Sequence, residues 1–195
     1  MKQQLKKELA QAIHKENFDV SENGLYFPTQ SVGVSGEYFE RINDGEWMRT
    51  KNLITKEGLI DVLNTYFIAN KAKQAGFYLA LFSGATAPAA NWTAANFAAV
   101  ANEITSMTEG YTSATRPQFN PASATEQTYI DNLTNTARLT IATTSELNVT
   151  GTALLTNSAR GGVTGVLISA TKYAAARTFQ NGDTYDVGYR FALTV

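Results

Sequence analysis

Between Gly76 and Val195 the chain breaks into short apolar or alternating segments set between turn residues, and the last of them is the most regular. There Tyr185, Val187, Tyr189, Phe191 and Leu193 alternate with Asp186, Gly188, Arg190 and Ala192. A period of two sends successive side chains to opposite faces, so the segment reads as a strand with one face buried. Phe77–Phe82 is instead a continuous apolar run of strand length, as expected of a strand covered on both faces. Further candidate strands are 109–119, 136–143, 147–156 and 163–173, with turn residues at 157–162 and 180–183. Strands joined in succession by loops favour a mainly β fold, an antiparallel β-sandwich of Ig-like or jelly-roll-like kind, over a parallel α/β sheet.

The N-terminal part has a different character. Of 33 charged side chains, 20 fall within residues 1–75 and 13 in the longer remainder, which is rich in Ala, Thr, Ser, Asn and Gly. Residues 2–16 read as a helix, with Leu5, Leu9, Ala12 and Ile13 on one apolar stripe. So short a helix is marginal alone, and its stripe needs cover from its own domain, a sister subunit or another protein. Pro28 rules out a central-strand role for Gly24-Leu25-Tyr26-Phe27-Pro28. The segments 36–42 and 46–49 flank Asn43-Asp44-Gly45, a hairpin signal. Residues 55–70 form the clearest helix. Thr55 is its cap, and Leu59, Ile60, Val62, Leu63, Tyr66 and Phe67 are its apolar face, expected to pack on the β domain. Residues 92–101 have room for a second, short helix. The division this implies is an arm, 1–54, of helix plus hairpin, followed by a sandwich domain, 55–195, led by helix 55–70.

A search for chemistry finds no constellation that would carry it. The absence of cysteine excludes disulfides, thiolate zinc sites and cysteine nucleophiles. The one histidine, His14, has no second His or Cys to join it as a ligand or base, and reads as a surface or interface residue. Asp183 and Asp186 fall on opposite faces of a strand, and Asp183 in Asn-Gly-Asp is a turn residue. Glu37, Glu40, Asp44 and Glu46 cluster around the hairpin. With Arg41 and Arg49 interleaved and no EF-hand spacing, they read as a solvated face. Arg160-Gly161-Gly162 reads as a flexible turn. No nucleotide-binding glycine motif and no serine-hydrolase signature is present. No catalytic, cofactor-binding or metal-binding residue is therefore assigned, and the chain is expected not to be an enzyme. A net charge of −1 gives no reason to expect nucleic acid. The lack of an 18-residue apolar run argues against a membrane span. The polar start, Met1-Lys2-Gln3-Gln4, is unlike a signal peptide, so assembly in a bacterial cytoplasm is expected.

The order of the pieces carries a resemblance. The polar N-terminal helix is followed by Gly24-Leu25-Tyr26-Phe27-Pro28, then Val32-Gly33-Val34-Ser35-Gly36-Glu37-Tyr38-Phe39 and Asn52-Leu53-Ile54-Thr55-Lys56-Glu57-Gly58-Leu59. Later come Phe77–Phe82, Pro88-Ala89-Ala90-Asn91-Trp92-Thr93-Ala94-Ala95-Asn96-Phe97, Glu103-Ile104-Thr105 and Ala174-Ala175-Ala176-Arg177-Thr178-Phe179-Gln180-Asn181-Gly182-Asp183, before the aromatic last strand. Taken in order, these resemble virion structural proteins of tailed, podovirus-like bacteriophages. The resemblance implies a place in the virion, with the major capsid protein or another virion protein as partner. The leading expectation is a capsid decoration, or cement, protein on the outer head, as a homo-oligomer and by preference a homotrimer. The alternatives are a tail, collar, adaptor or fibre-base component, or a module binding host-surface glycan. Leu5, Leu9 and Ile13 on the arm, and Tyr38, Phe39 and Trp47 on the hairpin, are the candidate partner-binding residues. For the three aromatics, the core of the hairpin is the competing assignment.

Overall fold

A computed structural model describes residues 18–20, 26–28 and 32–194. The helix expected over 2–16, with Leu5, Leu9, Ile13 and His14, lies outside the described residues. The chain divides into two compact units, Met1–Gly33 with Leu193–Val195, and Val34–Ala192. In the first, β1 (Phe18–Val20) and β2 (Tyr26–Pro28) pair antiparallel, with Asp19 opposite Phe27. Pro28, which has no N–H to donate, stands at the end of its strand.

The second unit is the antiparallel sandwich. Its elements are β3 (Gly33–Ile42), β4 (Met48–Lys51), β5 (Leu53–Ile54), α1 (Lys56–Phe67), β6 (Phe77–Phe82), α2 (Ala94–Ala101), β7 (Gly110–Tyr111), β8 (Gln118–Phe119), β9 (Tyr129–Asp131), β10 (Ala137–Ala142), β11 (Leu147–Leu155), β12 (Leu167–Phe179) and β13 (Thr184–Thr194). One sheet runs β4-β3-β13-β10-β7, with β9 pairing the later part of β13; the other runs β5-β12-β11-β6-β8. The hairpin is therefore no appendage. β3 lies between β4 and β13, β5 pairs with β12, and the compact body begins at Val34 rather than after residue 54. The hairpin turn is as its Asn-Asp-Gly sequence predicts. Gly45 N–H donates to the Ile42 carbonyl at 2.9 Å, and Asn43 and Asp44 both have positive φ, 50° and 57°, as a type I′ turn requires.

Two of the expected strands need correction. Residues 109–119 form not one strand but two of two residues each, β7 and β8, in opposite sheets. The strand expected over 163–173 starts at Leu167 and runs on through Arg177 to Phe179. β5 and β9, of two and three residues, are too short to show an alternation, and they pair antiparallel with β12 and β13.

Two apolar layers hold the body together. The first fills the space between the sheets with Tyr38, Leu139, Ile141, Tyr185, Val187 and Tyr189 from one and Leu79, Leu81, Val149, Ile168, Tyr173 and Phe179 from the other. The second lies on the outer face of the β6–β11–β12 sheet. There Ala80, Phe82, Ala153, Leu155, Leu167 and Ala170 meet Trp92, Ala94, Phe97 and Ala101 of α2 and the turn leading into it. β6 thus serves both layers by alternation, which explains why its sequence is apolar throughout. Phe82, Trp92 and Phe97 pack edge to face, with ring centroids 6.0–6.4 Å apart. α2 is the short helix expected near residue 92, and its first turn is closed by Asn96, whose Oδ1 accepts from Thr93 N–H at 2.8 Å.

Candidate interaction surface

The buried ionisable groups of the sandwich are tied into its architecture. Arg116 donates from Nε to Glu103 Oε1 and from Nη2 to Oε2, both at 2.7 Å, and neither side chain has any solvent exposure. Arg116 Nη1 also donates to the Asn157 carbonyl, and Gly161 N–H donates to Glu103. Arg160 is no mobile turn residue. Its guanidinium lies 3.6 Å over the Tyr111 ring and donates to the carbonyls of Tyr111, Ser113 and Ser106. Four bonds from the Arg160 guanidinium, to the carbonyls of Ile104, Ser106, Tyr111 and Ser113, tie the loops of residues 103–113 and 157–162 together, so a sequence that reads as flexible is fixed from the side chain.

The acidic cluster around the hairpin divides in the same way. Glu40 is fully buried rather than solvated, accepting from Arg177 Nη2 at 2.9 Å and more weakly from Thr50. Burial pushes its carboxyl up from the ordinary value, against the pull of Arg177. Glu37 pairs with Arg49 and Asp44 with Arg41 at the surface. Asp183 caps its own turn, accepting from Gln180 N–H and from Asn43, each at 2.7 Å. The tyrosines between the sheets are equally committed: Tyr38 shares a hydrogen bond with Ser169, Tyr185 donates to Tyr173, and Tyr189 accepts from Asn52. Burial raises all four hydroxyls above the usual phenol range, Tyr189 to about 12. Among the described residues no group of three His, Cys, Asp or Glu is placed to hold a metal ion.

Asp186 gives this network a pH dependence. It accepts from Arg138 and Arg41 at 2.7–2.8 Å and is almost fully buried. Arg138 foremost, then Arg41, hold its carboxyl below the usual range, with burial opposing them. A depressed folded-state pKa stabilises above the unfolded value, about 3.9, and that stability is lost as pH falls through the folded value. Asp186→Asn is expected to cost about 1 kcal/mol near neutrality, because both arginines face solvent on one side and are screened. Urea titrations at several pH values should show the gap between variant and parent closing below about pH 4. A gap independent of pH would remove the ionic contribution.

Outside this network the largest run of exposed apolar side chains lies on α1. α1 begins as its sequence predicts, with Thr55 Oγ1 accepting from Gly58 N–H at 3.0 Å. Its attachment to the sandwich is polar and backbone-mediated. Thr55 N–H donates to the Ile168 carbonyl, and Glu57 accepts from Leu167 N–H and Ala94 N–H. Gly58 and Asp61 are the buried residues of the helix, Asp61 accepting from Gln74 at 2.7 Å. A Cβ at Gly58 would come within 2.4 Å of the Ile168 carbonyl oxygen, so only glycine permits this approach.

The apolar face, expected to pack inward, therefore points outward. At 3.6 residues per turn, Leu59, Ile60, Leu63, Tyr66 and Phe67 share one sector about 120° wide, opposite Gly58 and Asp61. Leu63 is 56% exposed, Phe67 71% and Tyr66 82%, and Ile68 beyond the helix end is exposed too. On one flank this surface runs into a groove of about 500 Å³ lined by Val62 and Tyr66 of α1 and by Phe77, Phe119, Ile130 and Phe191 at the open end of the sandwich.

The hairpin aromatics part company. Tyr38 belongs to the core, with no exposure, and is not available to a partner. Phe39 is half-buried beneath Arg190, 5.4 Å from its ring. Trp47 is exposed, with Arg41 4.7 Å over its ring. Leu5, Leu9 and Ile13 lie outside the described residues. The α1 residues were visible in the sequence as an apolar face, but periodicity does not say which way a face turns. Among the described residues no helix is long and apolar enough to cross a membrane. No family model matches this chain and no curated protein matches it, so the surface is read from its own chemistry.

Proposed function

We propose that this protein is a non-enzymatic structural subunit of a tailed-bacteriophage particle, acting as a decoration, or cement, protein on the outer surface of the head. The observation that supports an adhesive role is the uncovered apolar face of α1, set on a sandwich whose buried charged groups Glu40, Glu103, Arg116 and Asp186 are spent on internal pairs. The resemblance of the ordered sequence pieces to virion structural proteins supports the particle. The partner is the major capsid protein or another virion protein, and the subunit is a homo-oligomer, by preference a trimer. The mechanism is mass action: a ligand that binds only the assembled lattice stabilises it. Many identical weak contacts add through high effective concentration.

Trp47 is the hairpin residue best placed to touch such a lattice. Trp47→Ala is expected to change stability by no more than about 1 kcal/mol, the worth of its contact with Arg41. Co-sedimentation with stripped heads should weaken on the order of tenfold or more, as for an aromatic hot spot. Unchanged co-sedimentation would remove Trp47 from the interface. The wider reading is tested by mass spectrometry and cryo-electron microscopy of purified particles. Hundreds of copies would support cement, six or twelve would move the protein to the tail, and its absence from particles would sink the proposal.

A further inference from the structure

The outward face of α1 has the properties of a surface made to meet a copy of itself. Leu59, Ile60, Leu63, Tyr66, Phe67 and Ile68 together leave roughly 700 Å² of apolar surface open, taking about 150–250 Å² for a large exposed side chain. That exceeds the patch of about 300–600 Å² that a monomer ordinarily shows. It approaches the roughly 800 Å² that each partner contributes to a stable interface. The face is also nearly free of charge: from Gly58 to Asn70 the only charged side chain is Asp61, which is buried and turned inward. In a symmetric contact the residues nearest the axis meet their own counterparts, so an exposed charge there would repel its copy. This face carries none. With a net charge of −1, the whole chain also offers little long-range repulsion between copies. Finally, Leu59, Leu63 and Tyr66 recur at the spacing by which one helix packs along another.

From these features we infer that α1 is a self-association helix, packing through Leu59, Leu63, Tyr66 and Phe67 against the same helix of a second copy of this chain. The inference rests on the adhesive reading above and assigns the residues that join the copies. In this arrangement the polar attachments of Thr55, Glu57 and Gly58 hold the helix to its own sandwich, and its apolar stripe is left for the sister subunit.

Light scattering on the isolated full-length protein, through the micromolar range, tests it. The parent chain is expected to be oligomeric. Leu63→Glu with Phe67→Glu, two exposed positions, should give a monomer with unchanged circular dichroism and the thermal midpoint that the parent shows at dilutions where it too is monomeric. Ser145→Glu, at the far end of β11 beside Leu147, should associate like the parent. The milder pair Leu63→Ala and Phe67→Ala keeps the test open if charge perturbs the fold, and should weaken association on the order of tenfold or more. A parent that is monomeric throughout the range overturns the inference, and so does an oligomer that survives both pairs of substitutions. Neither result touches membership of the particle, which is read from purified virus, and absence from virus would leave a measured oligomer standing.

Discussion

Glu103→Ala is expected to be the most damaging single substitution in the sandwich, lowering stability by about 3–5 kcal/mol. Removing the carboxylate leaves the Arg116 guanidinium charged in a place with no solvent, since both side chains are fully enclosed and paired through two bonds of 2.7 Å. The cost is that of an uncompensated charge and exceeds the worth of the pair itself. Gly161 N–H also loses its acceptor, which loosens the loop that carries Arg160. In a chain of this length the thermal midpoint should fall by roughly 6–20 °C. Replacing both partners, Glu103→Leu with Arg116→Met, should recover part of the loss because no charge is then stranded. The recovery is incomplete because the Asn157 and Gly162 carbonyls lose their donor. Thermal and urea denaturation of the two variants side by side decides it. If Glu103→Ala costs under about 1 kcal/mol, water reaches the pair and it is no buried anchor.

That pair also marks the limit of what the sequence discloses. Alternation along Tyr185–Tyr189, the apolar run Phe77–Phe82 and the Thr55 cap are local signals, and each becomes the expected element because backbone periodicity alone produces it. Glu103 and Arg116 lie 13 residues apart in segments without periodicity, and nothing local says that the chain closes over both. Arg160 is misread for the same reason: Gly-Gly implies mobility, whereas the guanidinium's carbonyl acceptors come from a loop about fifty residues earlier. The hairpin 36–49 is legible as a hairpin, yet its membership of the sheet depends on β13, the last strand to be made. Of the candidate partner residues, Tyr38 and Trp47 look alike in sequence, both being aromatics in one hairpin. The alternation of β3 sends Tyr38 inward onto Tyr189, whose ring centroid is 4.6 Å away, and the turn region carries Trp47 out.

The orientation of α1 is the decisive case, and Gly58→Ala tests its cause. In a helix, Gly→Ala ordinarily gains up to about 1 kcal/mol of propensity, less in a first turn such as this one. Here the added methyl would meet backbone, 2.4 Å from the Ile168 carbonyl oxygen and 2.8 Å from its Cα, and β12 is a long strand paired on both sides. Neither atom belongs to a flexible side chain that could swing away, so the helix itself must back off. Doing so stretches the Thr55 N–H bond to Ile168 and the Glu57 bond to Leu167, which are the attachments that hold α1 down. Overpacking of this kind costs about 1–3 kcal/mol, and the substitution is expected to be destabilising by about 2 kcal/mol despite the better helix former. Gly58→Ser should cost as much or more, because its methylene occupies the same space. Hydrogen exchange should localise the effect, with faster exchange along α1 and at Leu167 and Ile168 while β10 and β13 keep their protection. Because α1 holds its apolar stripe outward only while Gly58 lies flat on β12, the same variant should also weaken self-association. A Gly58→Ala protein as stable as the parent, with unaltered exchange, would mean that close contact with Ile168 is not what turns the face to solvent.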